Sequence, residues 1–174
     1  IEWRTVVEDD DPRGAFLLYG TRSRVSGLSG FIGALTRSRV RSRARDGMAR
    51  YGLPSEKALG VPMRAIQQLA KELGTDHELA GALWETGCYE ARLLTAYVGD
   101  PARLTPAEME RWCRDFDNWG VVDTLCFVLF DESPHAWKKV PQWARRRDEF
   151  AKRAGFVLLA CLAHHDTSAD DPAF

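Results

Sequence analysis

The sequence predicts an all-α chain of stacked antiparallel helix pairs. Three observations carry that prediction. From Pro62 onward, apolar residues recur at helical spacing rather than in strand alternation. Helix punctuation falls between those stretches: capping side chains and Pro at starts, Gly at stops. The one segment open to a strand reading, Val121-Val122 with Cys126–Phe130, lies inside a single capped helical stretch.

The first helix carries Met63, Ile66, Leu69 and Leu73 on one face. Pro62 suits its first turn and Gly74 its stop, because Pro has no N–H to leave unpaired and Gly accepts the conformation that ends a helix. Asp76 caps a second helix with Leu79, Leu83 and Trp84 inward. A third passes through Leu93, Leu94, Tyr97 and Val98 to Gly99. Thr105-Pro106-Ala107-Glu108 is a capping box with Pro at the first helical position, and Met109, Trp112 and Phe116 form the stripe behind it. Asp117 or Asn118 caps the next helix, Trp119 to Phe130. It is apolar on nearly every side and is therefore expected at the centre. Ser133-Pro134 starts another helix, which Pro141 is expected to end. The last runs from about Gln142 to His164, with Phe150, Val157, Leu158, Cys161 and Leu162 inward. That makes seven helices whose pairs recur every roughly 30–40 residues, the spacing of a HEAT-like α-solenoid.

Three regions are expected. Residues 1–40 form a poorly specified leader, disordered or non-native, with no sustained apolar period. Residues 41–165 form the helical domain, and residues 166–174 an acidic tail. The chain starts at Ile1 without an initiator Met, which suggests a processed or cut fragment. The apolar run Val25–Leu35 is about half the ~20 residues of a bilayer-spanning helix, so no membrane is expected. Four cysteines, Cys88, Cys113, Cys126 and Cys161, form no C-x-x-C pair. Cys126 and Cys161 lie in apolar runs and read as buried small hydrophobes. A reduced, cytoplasmic setting follows.

The 24 Lys+Arg and 25 Asp+Glu leave a net charge of −1, which by itself argues against a nucleic-acid partner. The distribution argues otherwise. Residues 36–50 carry +5, residues 138–153 carry +5, and residues 64–135 carry −7. Lys138, Lys139, Arg145, Arg146, Arg147 and Lys152 are the candidate phosphate contacts, beside Trp137 and Trp143. The competing reading is a solvated face held by i,i+4 pairs, Arg145 with Glu149 or Glu149 with Arg153.

Other motifs fail on chemistry. Gly27-x-x-Gly30-x-x-Gly33 has neither a preceding strand nor a Lys-Ser/Thr, so it is no phosphate loop. His164-His165-Asp166 suggests metal ligands, but adjacent helical side chains diverge by about 100° and the helix dipole alone favours His there. Neither a metal nor a nucleotide cofactor is expected. Trp119 and Asp123 are the sharper feature. Four apart, they share a helix face that is otherwise apolar. A carboxylate there is either a structural partner of an Arg beside a core Trp, or a group held in an aromatic-walled cleft to stabilise developing positive charge.

In order and spacing, Gly60-Val61-Pro62-Met63-Arg64, Leu79-Ala80 with Leu83-Trp84, Glu90-Ala91-Arg92, Asn118-Trp119 with Asp123, and Lys152-Arg153-Ala154 resemble a known family over roughly Ala44 to Ala163. It is that of the DNA alkylation repair glycosylases built from HEAT-like repeats. The resemblance implies a solenoid that holds alkylated double-stranded DNA on a basic concave face and excises N3- or N7-alkylated purines. It implies Asp123 as the charge-stabilising carboxylate, Trp119 against the lesion-bearing sugar and Arg153 on the phosphate and the Asp123 neighbourhood; a monomer is expected. Two departures stand out: Gly120 where the family commonly has a polar residue, and the lack of later helices that supply a second aromatic. The latter makes a C-terminally truncated domain the expectation. The alternative from another class is a non-catalytic HEAT-like module that binds DNA or protein.

Overall fold

A computed structural model describes residue 53 and residues 58–165. The glycine-rich segment, the early arginine run, Asp166 and the acidic tail lie outside the described residues. Among those described, the chain is all helical, with no strand: α1 Met63–Leu73, α2 His77–Glu85, α3 Tyr89–Val98, α4 Pro106–Arg114, α5 Trp119–Leu125, α6 Ala136–Ala144 and α7 Glu149–His165. A π-helical turn, Cys126–Phe130, extends α5 directly.

The punctuation works largely as the side chains dictate. Asp76 accepts from the Leu79 N–H at 3.1 Å, and Thr105 and Glu108 close the capping box of α4. Gly74 sits at φ 67° and ends α1 by donating to Ala70 O. Pro62 is the N-cap of α1, one residue outside the helix, where its carbonyl accepts from Ala65 and Ile66. Of the expected inward face of α1, Met63 is exposed and Leu73 half-buried, while Ile66 and Leu69 enter the core.

The boundary between the last two helices differs from expectation. Pro141 lies inside α6 and does not end it. Only one intrahelical N–H is forfeited there, and the fully buried Trp143 two residues further on holds the helix to the core. The break falls at Arg145–Asp148. Asp148 caps α7, its carboxylate accepting from Ala151 N at 2.8 Å and its carbonyl from Lys152 N at 3.0 Å. Gly155 lets α7 close on α6: a Cβ there would stand 2.4 Å from Ala144 N and 2.8 Å from Ala144 Cα.

The core is a chain of rings. Trp84 stacks on Trp112 at 5.1 Å, Trp112 on Phe130 at 6.3 Å, and Phe130 meets Trp143 at 5.6 Å. These rings tie α2, α4, the π turn and α6 together. The expected central helix is central: Val121, Val122, Leu125, Cys126, Leu129 and Phe130 are all buried. It packs on α3 on one side and α7 on the other. One stripe of it stays open, with Trp119 39% and Phe127 49% exposed.

Glu90 explains two sequence landmarks at once. Its buried carboxylate accepts from three successive backbone N–H groups, at 2.8 Å from Leu59, 2.7 Å from Gly60 and 3.2 Å from Val61. The segment entering α1 is thereby fixed to α3 by charge-assisted bonds. Gly60 takes φ 81°, a conformation that disfavours any side chain.

Candidate functional site

The site starts with a cap. Asn118 Oδ1 accepts from Val121 N at 2.9 Å, and its amide donates to Asp117 at 2.7 Å. Asn118 rather than Asp117 therefore starts α5, and Trp119 becomes its first residue. Asp123 follows one turn later on the same face.

Arg153 comes from the second turn of α7. Its Nε donates to Asp123 Oδ1 at 2.8 Å and its Nη2 to Oδ2 at 2.7 Å, a two-bond fork. The guanidinium carbon lies 6.0 Å from the Trp119 ring centroid, at the outer range of a cation–π contact. The three candidate residues are thus brought to one place. It faces water: the Arg153 side chain is 43% exposed and that of Asp123 25%. The hydrogen bonds to Asp123 hold Arg153 above its ordinary pKa, against the pull of partial burial. Arg153 pairs with Asp123, not with Glu149 as the solvated-face reading supposes.

Gly120 has a local cause. A Cβ at this position would lie 2.8 Å from the Tyr89 hydroxyl oxygen and 3.0 Å from Leu53 Cδ2. The space next to Trp119 that a polar side chain would need is filled by the half-buried Tyr89 phenol. Burial, reinforced by Glu90, pushes that phenol up to about 12.

The basic candidates divide. Lys138, Arg145, Arg147 and Lys152 are exposed. Lys139 is not: it is 5% exposed, with Nζ 3.4 Å from Glu110 and 5.6 Å from the Trp143 ring centroid. Burial pulls its ammonium below the ordinary lysine pKa. Lys139 is therefore a core partner of Glu110 and not part of the exposed basic face. Arg146 is half-buried and also pairs with Glu110. Trp143 donates to the same carboxylate at 3.1 Å and lies wholly in the core.

Two exposed rings were not singled out in the sequence. Phe127 lies four residues after Asp123, and Phe156 lies three after Arg153 at 58% exposure. Their signal was spacing alone, in segments otherwise apolar enough to read as core.

His165 Nδ1 contacts the nearly buried Asp131 carboxylate at the far end of α7. Among the described residues, no three His, Cys, Asp or Glu side chains are grouped to hold a metal ion. All four cysteines are free, and Cys113, Cys126 and Cys161 are buried. No described helix is long and apolar enough to cross a membrane.

No curated protein and no solved structure gives a significant match. The profile of the DNA alkylation repair enzyme family matches residues 36–172, most of the chain and the whole of the site just described. The chain belongs to the DNA alkylation repair enzyme family.

Proposed function

We propose that this chain is a DNA glycosylase that hydrolyses the N-glycosidic bond of cationic N3- or N7-alkylated purines in duplex DNA, on a HEAT-like α-solenoid acting as a monomer. The observation that carries the reading is the Asp123 carboxylate, held by the Arg153 fork beside Trp119 on a solvent-facing edge. Exposed Lys152 on the same helix and Arg147 just before it supply charge for a phosphate backbone.

The chemistry suits one carboxylate. An N-alkylated purine already carries positive charge, so it leaves as a neutral base when the bond between C1′ and the ring nitrogen breaks, taking the electron pair. The charge passes to the sugar as an oxocarbenium-like centre. A carboxylate close to it stabilises that centre and orients the water that adds to C1′, whose proton passes to solvent. Asp123 is assigned that role and Trp119 the contact with the sugar.

Arg153 has two parts. Without DNA it fixes the Asp123 rotamer through both oxygens. A backbone phosphate offers the guanidinium an equivalent forked partner. Shifting to it leaves Asp123 with more of its charge for the sugar. The test is single-turnover release of 7-methylguanine or 3-methyladenine from alkylated duplex. Release above the protein-free rate is expected, and a wild type that releases neither base contradicts the reading.

One observation favours a second reading. The fork offsets the Asp123 charge, as a purely structural ion pair would, and fits a non-catalytic HEAT-like module. In that case duplex binding persists without base release. A log K against log salt slope near zero excludes phosphate clamping in either reading.

A further inference from the structure

Tyr89 opens α3, and Trp119 opens α5, the helix packed against it. The Tyr89 hydroxyl oxygen would stand 2.8 Å from a Cβ at Gly120, so it lies over the first turn of α5. It thereby excludes a side chain there. Among the described residues no group hydrogen-bonds to this hydroxyl, and it is not sealed from water. A phenylalanine would pack the same ring and free position 120. The oxygen gives nothing to the fold, which points to a partner outside it.

Its place around α5 says which partner. At about 100° per residue, Cys126 falls about 20° behind Trp119, while Asp123 and Gly120 fall about 40° and about 100° ahead of it. Cys126 Sγ lies 3.7 Å from Ala154 O of α7, and Gly120 lies under Tyr89 of α3. The face that carries Trp119 and Asp123 therefore lies between the two neighbouring helices. From α7, Arg153 reaches Asp123; from α3, Tyr89 reaches the turn that holds Trp119. A sugar on that face has a backbone phosphate on either side of it along the strand. Phosphate oxygens only accept, and tyrosine hydroxyls are among their ordinary donors. Burial and Glu90 push the Tyr89 phenol up to about 12, so it keeps the proton it would donate. The Glu90 carboxylate itself is 2% exposed and already engaged by three backbone N–H groups.

We propose that the Tyr89 hydroxyl is a phosphate ligand, donating to the backbone phosphate that flanks the damaged nucleotide on the side away from Arg153. This rests on the duplex substrate of the glycosylase reading. It adds a second, uncharged anchor that holds the lesion-bearing sugar over Asp123.

The test uses duplexes with one 7-methylguanine made resistant to cleavage by a 2′-fluoro sugar. Each carries either an all-phosphate backbone or a single methylphosphonate at one of the two phosphates on either side of the lesion. Dissociation constants are measured by fluorescence anisotropy for wild type and Tyr89→Phe. On the all-phosphate duplex Tyr89→Phe is expected to lose about tenfold. Its slope of log K against log salt should match wild type, because no charge is removed. Its urea midpoint should also match, because the hydroxyl has no partner within the fold. On one methylphosphonate duplex the two proteins should bind alike, and that position identifies the phosphate. If Tyr89→Phe binds every duplex as wild type does, or loses the same factor on all of them, the inference is overturned. Base release by wild type from the natural-sugar duplex is measured beside it. Release without the coupling leaves the glycosylase reading standing alone; the coupling without release leaves the phosphate contact standing alone. A wild type that binds no duplex overturns both.

Discussion

Arg153 meets the Asp123 carboxylate side-on, with Nε to Oδ1 at 2.8 Å and Nη2 to Oδ2 at 2.7 Å. The pair joins two helices, yet it is too open to water to hold them together. Exposed ion pairs are worth less than about 1 kcal/mol. Arg153→Ala is therefore expected to lower unfolding free energy by less than that in urea titration, while slowing base release at least tenfold. A large stability loss with unchanged release would assign the pair to structure alone.

The exposed and buried lysines separate in the same way. Lys152→Ala is expected to lower the slope of log K against log salt by about 1 for duplex binding, since one phosphate contact is removed. Lys139→Ala should leave that slope alone. It removes a buried ammonium from the half-buried Glu110 and should destabilise the fold by about 1–3 kcal/mol. Anisotropy titrations from low to moderate salt, beside denaturant melts, check both outcomes.

Gly155→Ala tests the packing that sets α7 in place. The added methyl meets Ala144 N at 2.4 Å and the Trp143 carbonyl carbon at 2.9 Å, and backbone cannot step aside as a side chain can. A loss of about 1–3 kcal/mol is expected, as for other overpacked cores. Since α7 carries Arg153, base release should fall further than the loss of folded protein explains.

The thiols set an alkaline limit. Burial pushes Cys113 and Cys161 up to about 12. In the unfolded chain a thiol ionises near about 8.5. Their contribution is fully present below that value and is lost as pH rises through the folded values, because only the unfolded state gives up protons in the interval. Under reducing conditions the urea midpoint should fall between pH 8 and pH 10.5, and Cys161→Ala should make the fall shallower. A midpoint that stays level over that interval contradicts the assignment.

Much of the helical order could be read from the sequence because it is local. Asp76, the Thr105–Glu108 box, Asn118 and Gly74 act on backbone groups within four residues, so their spacing carries the information. Pro141 misled for the converse reason. Its tolerance depends on the burial of Trp143, a tertiary fact, while the true break was marked by Asp148 within a run read only as charge. In the site, the Trp119–Asp123 spacing was visible, but the Arg153 fork joins residues thirty apart across two helices. Lys139 looked like its basic neighbours until Glu110 and Trp143 enclosed it. Gly120 became intelligible only with Tyr89, from another helix, lying against it.

The proposed chemistry rests on the Asp123 carboxylate, and one comparison reaches it directly. Wild type and Asp123→Asn are incubated in excess over a duplex carrying 7-methylguanine, and free base is measured with time. The substitution keeps the shape and an acceptor oxygen but removes the charge. Release should fall at least about a hundredfold, with melting temperature and undamaged-duplex affinity near those of wild type. Equal release by the two proteins would contradict the role assigned to Asp123.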